Sequence, residues 1–129
     1  TSLMNSTLSY LGIEILARKT YGIGVAYIYG PEINNMILID PNLFPDVINK
    51  KLTELSLKMS NRNILSIFTE LGFDKTRPIR EQEPNPLPDR KELDDIVFDA
   101  LGLTEEEQKE VYWAVAELVK ARLDKAKSV

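Results

Sequence analysis

The sequence predicts an α+β fold that is mostly α: an N-terminal helix and a short β-ladder, then a helical lobe that ends in an αα-hairpin. Three observations favour this fold. Apolar residues recur at helical spacing over much of the 129-residue chain. Two short segments rich in β-branched and aromatic residues flank glycine, proline and asparagine near residue 30. Two capped amphipathic segments follow each other at the C-terminal end.

The first helix and the ladder are predicted within residues 1–44. A spacing of four, three and four residues puts one helical stripe on Met4, Leu8, Leu11 and Ile15. We expect Val25–Tyr29 to pair with Met36–Ile39, because Gly30 and Pro31 between them are typical of a turn. The sequence therefore predicts that residues 1–44 form one unit, separate from residues 45–129.

Residues 45–129 are predicted to form the helical lobe. One apolar stripe runs from Ile48 to Met59, and a second runs from Ile64 to Leu71 and stops at Gly72. Four prolines and no apolar period fall between residues 74 and 88, which is typical of an extended linker that crosses the surface.

The last two helices are the most clearly marked. Gly102 and Leu103 predict a Schellman stop between them. Trp113 lies off the main apolar seam, which favours a contact with another domain or subunit. Each helix is predicted to open with a capping box, formed by Asp89 with Glu92 and by Thr104 with Glu107. So tight a connection predicts two helices that lie against each other.

Composition limits the chemistry. The chain has no histidine and no cysteine, so carboxylates, lysines, tyrosines and hydroxyls are left for any catalytic or metal site. Asp94, Asp95 and Asp99 cluster on one helix, but opposite the apolar stripe, so we interpret them as surface charge. No apolar run approaches the roughly 20 residues needed to span a bilayer, and we expect no membrane partner.

The charge is unevenly distributed. The first 40 residues carry a net charge of −1, the next 40 carry +3 and the last 49 carry −6. Any contact with DNA would therefore come from a local patch. The densest basic stretch is irregular and contains Lys75, Arg77 and Arg80, with Arg62 upstream. Such a stretch can follow a phosphate backbone, although the sequence by itself favours a solvated linker that happens to be basic.

The order of features from Met4 to Ser128 resembles the C-terminal end of adenine-specific DNA methyltransferases of restriction-modification systems. The first matching stretches are Asn5-Ser6-Thr7, Arg18 with Gly22 and Gly24, Ile28-Tyr29-Gly30-Pro31-Glu32 and Ile39-Asp40-Pro41. The matching stretches of the tail are Pro88-Asp89-Arg90, Leu93-Asp94-Asp95-Ile96-Val97-Phe98, Ala100-Leu101-Gly102-Leu103-Thr104-Glu105 and Ala116-Glu117-Leu118-Val119-Lys120, with Arg122, Leu123, Lys125, Ala126 and Ser128. Residues 47–82 match least.

The resemblance implies a non-catalytic C-terminal fragment. The family's cofactor-binding glycine motif and its Asn-Pro-Pro-aromatic motif have no counterpart here. S-adenosylmethionine is thus expected to bind the parent enzyme, on an upstream methylase core, and no cofactor or metal is expected in this chain. Thr1 in place of a methionine also favours a piece of a longer protein. The absence of cysteine fits a reducing compartment, and we expect a cytoplasmic protein. Double-stranded DNA is the implied partner of residues 1–44, through Arg18, Lys19, Gly22, Ile23 and Gly24.

Two other functions stay open from the sequence. The chain is alternatively an interaction or dimerisation module that docks on the methylase core, with no direct DNA contact. The acidic last third favours this alternative for the tail, and a homodimer is compatible with it. A small independent enzyme is the third hypothesis, against which the poor inventory of catalytic groups counts.

Overall fold

A computed structural model describes residues 2–19 and 25–128. The chain is mostly helical in these ranges, which confirms the predicted class at that level. The helices are α1 (Thr7–Leu16), α2 (Gly30–Asn34), α3 (Asp46–Ser60), α4 (Ile67–Leu71), α5 (Pro88–Leu101) and α6 (Glu105–Lys127). Two strands, β1 (Arg18–Lys19) and β2 (Ala26–Tyr27), and 3-10 turns at Ser2–Asn5, Pro41–Leu43 and Ile79–Glu81 complete the described elements.

The β-ladder differs from the predicted one. β1 and β2 are antiparallel, with Arg18 opposite Tyr27 and Lys19 opposite Ala26. The prediction that Met36–Ile39 is the partner strand was wrong, since this segment has no regular structure. The short helix α2 separates it from β2, because proline fits the first turn of a helix and the Glu32 carboxylate accepts the Tyr29 amide at 3.1 Å.

Two apolar clusters form the core. The larger joins α4, the turn at Ile79, Phe98 of α5 and the inner face of α6, with α1 packed over it. The smaller holds Leu3 and Phe44 against Leu52 of α3 and Leu93 of α5. The smaller cluster therefore combines residues from both sides of position 44, where the domain boundary was predicted.

The connection between α5 and α6 has the predicted caps. Gly102 is left-handed with φ of 68°, and Leu103 N donates to Phe98 O at 3.1 Å, as in a Schellman motif. The Phe98 and Tyr112 rings meet edge to face near the turn. Beyond the turn, α6 packs mainly along α1 and α5 along α3, so the two helices do not form the closely packed hairpin that was expected.

The predictions for the starts of α4 and α5 and for the linker at residues 74–88 also differ from the structure. α4 begins at Ile67, so Ile64 lies in the preceding loop and is fully exposed. α5 begins at Pro88, without a side-chain cap from Asp89. Residues 74–88 do not form a free linker: the Asn85 amide donates to a carbonyl of α4 at 3.0 Å, and Ile79 is buried in the larger cluster.

Candidate functional site

The structure describes only some of the residues near the N-terminus that were predicted to face DNA. Arg18 and Lys19 form β1, directly after α1. Gly22, Ile23 and Gly24 lie outside the described residues. The structure therefore gives the backbone position of the two basic residues and leaves the loop between the strands untested.

The basic stretch divides into two parts. Lys75 and Arg77 are exposed, and neither side chain forms a hydrogen bond or ion pair with another residue in the described ranges. The Arg80 guanidinium, in contrast, binds Glu110 at 2.7 Å and Glu117 at 3.0 Å. Arg80 thus fastens the segment to α6, whereas Lys75 and Arg77 remain available to an outside anion.

The two predicted segments both adjoin α6. The end of α1, which leads into β1, is held there by an ion pair of 2.6 Å between Glu14 and Arg122. Pro78 and Arg80 share a shallow depression with Lys120 and neighbouring residues of α6. The two segments therefore contact the same helix on different sides, one at Arg122 and the other at Glu110 and Glu117.

Trp113 makes its contacts within the chain. Its indole Nε1 donates to the Gln82 carbonyl at 2.8 Å, and the Arg80 guanidinium lies 5.8 Å from the ring centroid. The prediction that Trp113 marks a contact with another domain or subunit is not needed to explain its position, because residues 80–82 cover it.

A chain of charged groups lies between α4 and α5. Arg62 binds Glu70 at 2.5 Å and Asp89 at 2.7 Å, and Arg90 binds the other oxygen of Glu70 at 2.8 Å. Arg90 Nη1 also donates to the Asn5 carbonyl at 2.9 Å. These contacts join the start of α1, the loop before α4 and the first turn of α5.

The charges of this network are mutually stabilised. Burial opposes ionisation of Glu70, but hydrogen bonds from Arg62 and Arg90 outweigh it and hold the pKa of the Glu70 carboxyl below its ordinary value. The hydrogen bond from Arg62 likewise lowers the pKa of Asp89. Both carboxylates are therefore ionised at neutral pH, and both form ion pairs with arginine.

Asp94 is a buried group, and the prediction that it is surface charge was wrong. It is completely inaccessible to solvent and accepts from the Thr7 amide at 2.7 Å and the Thr7 hydroxyl at 2.6 Å. Burial raises the pKa of Asp94 above its ordinary value despite these bonds. The Tyr112 hydroxyl, which is buried nearby without a well-aligned hydrogen bond, has its pKa raised by burial and by Asp94.

A groove of about 570 Å³ opens beside this network. Core residues of α4 and α6 line it, namely Phe68, Val115 and Val119, and the exposed side chains of Ile64 and Leu65 form part of its rim. Apolar walls with a few convergent polar groups are typical of a binding site.

Two arginines that line the groove are more exposed than the carboxylates they bind. The Arg62 side chain is 26% exposed and Glu70 is 7% exposed, and Arg122 and Glu14 are 16% and 8% exposed. In each pair the carboxylate lies deeper than the guanidinium. Because Arg62 also binds Asp89, every arginine at the groove is paired with a carboxylate, and the groove combines apolar walls with balanced ion pairs.

The described residues contain no group of carboxylates arranged to hold a metal ion, and none of their helices has the length and apolar content of a membrane span. The sequence analysis did not predict the groove or the charged network, although it noted Arg62.

Comparison with protein families, curated proteins and solved structures finds no match to this chain.

Proposed function

We propose that the chain is a non-catalytic C-terminal portion of a DNA adenine methyltransferase, which helps to position or recognise double-stranded DNA. The resemblance of the tail carries the family assignment. The observation that supports a DNA contact is the exposure of Lys75 and Arg77, whose side chains have no hydrogen-bond or ion-pair partner among the described residues. S-adenosylmethionine would bind elsewhere, on the methylase core of the parent enzyme.

In this proposal the two basic residues contact phosphates and Arg80 keeps their loop in place. Lysine and arginine bound to phosphate release counterions, which makes the affinity depend on salt. Arg80 cannot reach a phosphate without leaving Glu110 and Glu117. Arg18, Lys19 and the loop with Gly22, Ile23 and Gly24 would meet the same duplex.

Fluorescence anisotropy with random duplex DNA tests the proposal. The wild-type chain is expected to bind more weakly as salt rises, and a Lys75→Ala/Arg77→Ala double variant should reduce the slope of log affinity against log salt by about 2. Lys50→Ala/Lys58→Ala is the matched control, because these exposed lysines of α3 lie outside the proposed contact. No salt-sensitive binding, even after the chain is rejoined to its methylase core, would contradict the proposal.

The non-catalytic assignment has its own test. Labelled S-adenosylmethionine incubated with the chain and DNA is expected to give no methyl transfer. Turnover by this chain alone would overturn the assignment, whatever the anisotropy shows.

A second candidate function is supported by exposed apolar residues. The segment 25–47 carries an unusual concentration of them: Val25, Tyr27, Tyr29, Ile33, Ile37, Leu38, Leu43 and Val47. Contiguous exposed apolar surface is typical of a protein–protein interface. We propose as the alternative an interaction module, which packs on the methylase core or on a second copy without touching DNA.

Titration of the methylase core with this chain in the absence of DNA tests the alternative. Core binding that is lost in Ile37→Glu, while DNA binding by the chain is unchanged, would support it. Core binding that is equal in the variant and the wild type would contradict a role for the segment.

A further inference from the structure

We propose that the C-terminal end of α6 binds the phosphate backbone of duplex DNA, beside the residues of β1. The inference deepens the first proposed function, on which it rests, by adding Lys125 and Lys127 to the residues that contact DNA. It concerns a different part of the chain from the loop with Lys75 and Arg77.

The helices α1 and α6 end at the same end of the molecule. Thr7, at the start of α1, and Tyr112 of α6 both lie beside Asp94. Further along, Glu14 of α1 binds Arg122 of α6 at 2.6 Å. The contacts advance in the same direction along both helices, so the two helices run parallel.

A basic segment follows each member of this ion pair. β1, which consists of one arginine and one lysine, begins four residues after Glu14, and Lys125 is three residues after Arg122. Lys125 and Lys127 are both exposed, in the last turn of α6. Because Glu14 and Arg122 are 108 positions apart in the sequence, only the fold brings these two basic segments to one end.

This end has a positive charge that the net −6 of the last 49 residues conceals. Residues 118–129 have four basic side chains and one acidic side chain, a net charge of +3, and residues 15–29 have two basic side chains and no acidic one. Glu14 subtracts one charge, and the negative ends of the α1 and α6 dipoles subtract about half a charge each. A net charge of about +3 is left, so the lysines do more than offset the helix dipoles.

The nearby carboxylate does not neutralise the last turn. Asp124 binds Lys120 at 2.6 Å, and the hydrogen bond from Lys120, with the charge of Lys127, lowers the pKa of Asp124. Lys127 forms no hydrogen bond or ion pair with any residue in the ranges 2–19 and 25–128. One carboxylate therefore faces two ammonium groups, and the surplus positive charge is open to solvent.

The two ends of α6 have opposite charges. Its first turn carries three exposed glutamates, Glu105, Glu106 and Glu107. A phosphate backbone is attracted to the C-terminal end and repelled from the N-terminal end, which orients the helix on the duplex. Lysine binds phosphate as a flexible point charge, so an exposed last turn can contact the backbone of any sequence.

Fluorescence anisotropy with duplex DNA over a range of salt concentrations tests the inference. A Lys125→Gln/Lys127→Gln variant should reduce the slope of log affinity against log salt by about 2, because two phosphate contacts are lost. Lys125→Arg/Lys127→Arg keeps both charges and should keep the slope. Far-UV circular dichroism should give the same melting temperature for these variants as for the wild type, since the replaced side chains are exposed.

The matched control is Lys50→Gln/Lys51→Gln. It removes the same charge from exposed positions of α3, outside the proposed contact, and should leave the slope unchanged. An equal loss of slope in this control would overturn the inference, because any two positive charges would then suffice.

Lysine acetylation read by mass spectrometry locates the contact independently. Acetic anhydride should modify Lys125 and Lys127 less when duplex DNA is bound, whereas Lys50 should react to the same extent with and without DNA. Full reactivity of Lys125 and Lys127 in the complex would overturn the inference.

The outcomes separate this inference from the function on which it rests. Wild-type binding whose slope falls in Lys75→Ala/Arg77→Ala but not in Lys125→Gln/Lys127→Gln overturns the inference alone. A wild type without salt-sensitive binding, even when rejoined to its methylase core, overturns the proposed function and the inference with it.

Discussion

Asp94 accepts two hydrogen bonds from one residue, Thr7, whose amide and hydroxyl lie 2.7 and 2.6 Å from its two oxygens. The bonds fasten the first turn of α1 to the middle of α5. Arg90, one turn earlier on α5, reinforces them by donating to the Asn5 carbonyl. The start of α1 is therefore fixed by buried polar groups as well as by apolar packing.

Thr7→Val should lower the free energy of unfolding by about 1 to 3 kcal/mol, because it leaves a buried oxygen of Asp94 without its donor. Urea denaturation measures the change. Thr53→Val is the control, since the Thr53 hydroxyl is exposed and bonds a carbonyl of its own helix. Equal effects of the two substitutions would contradict the importance of the buried bond.

Glu70→Gln should be more costly, at about 3 to 5 kcal/mol, because Arg62 and Arg90 lose the anion between them while remaining largely buried. Glu83→Gln removes an exposed ion pair with Lys109 and should cost less than about 1 kcal/mol. Chemical denaturation of both variants at neutral pH distinguishes them. A loss for Glu70→Gln as small as that for Glu83→Gln would show that the network adds little stability.

Asp94→Asn should change the pH dependence of stability in a defined direction. The folded protein keeps the Asp94 proton to a higher pH than the unfolded chain, whose ordinary pKa is 3.8. The folded state therefore binds more protons above pH 3.8, and the contribution of Asp94 to the free energy of unfolding falls as pH rises through that window.

Urea titrations of wild type and Asp94→Asn at a series of pH values isolate this contribution, because other groups titrate alike in both. The stability of the wild type relative to the variant should decrease as pH rises above 3.8. A relative stability that increases over this range would mean that Asp94 has a lowered pKa instead.

Gly72→Ala and Gly102→Ala form a matched pair. Both glycines are left-handed, with φ of 76° and 68°, so alanine costs each about 1 to 2 kcal/mol of backbone strain. A Cβ at Gly72 would also collide with the carbonyl of Asn85, whereas Gly102 faces open space. Thermal denaturation should therefore show the larger loss for Gly72→Ala, and equal losses would contradict the close packing of residue 85.

Gln82→Glu should loosen the basic segment. The Gln82 amide donates to the carbonyls of Asp74 at 2.9 Å and Pro78 at 3.1 Å, and a carboxylate would place negative charge against both. Trp113, the only tryptophan, bonds the Gln82 backbone and reports the change as a red shift of its fluorescence. Glu81→Gln, at the exposed neighbouring position, should leave the emission unchanged, and the same emission for all three proteins would contradict this role.

Much of the helical structure was predictable, because its signals are local. The stripe from Ile48 to Met59 and the caps at Gly102 and Thr104 depend on neighbours within one or two turns. The short helix α2 was not predicted, because its local signal is ambiguous. Gly30 and Pro31 are common in turns, and only the Glu32 contact distinguishes a helix start.

The network was not predictable from local pattern. Apolar periodicity identifies the side of α5 that faces the core, but it does not show that Asp94 meets a residue 87 positions away. Arg62 and Asp89 are 27 positions apart and were assigned to a basic stretch and a helix cap. A charged residue pairs across the fold only when two distant segments supply matched geometry, which spacing alone does not contain.

The fastening of α1 also sets an order of events during synthesis. α1 is made before α6, its main packing partner, and the groups that hold its ends are Asp94 and Arg122. It cannot dock fully until α6 has left the ribosome, because its contacts are distant in sequence. A product truncated before α6 would leave Tyr10 and Leu11 without much of their cover, open to proteases and chaperones.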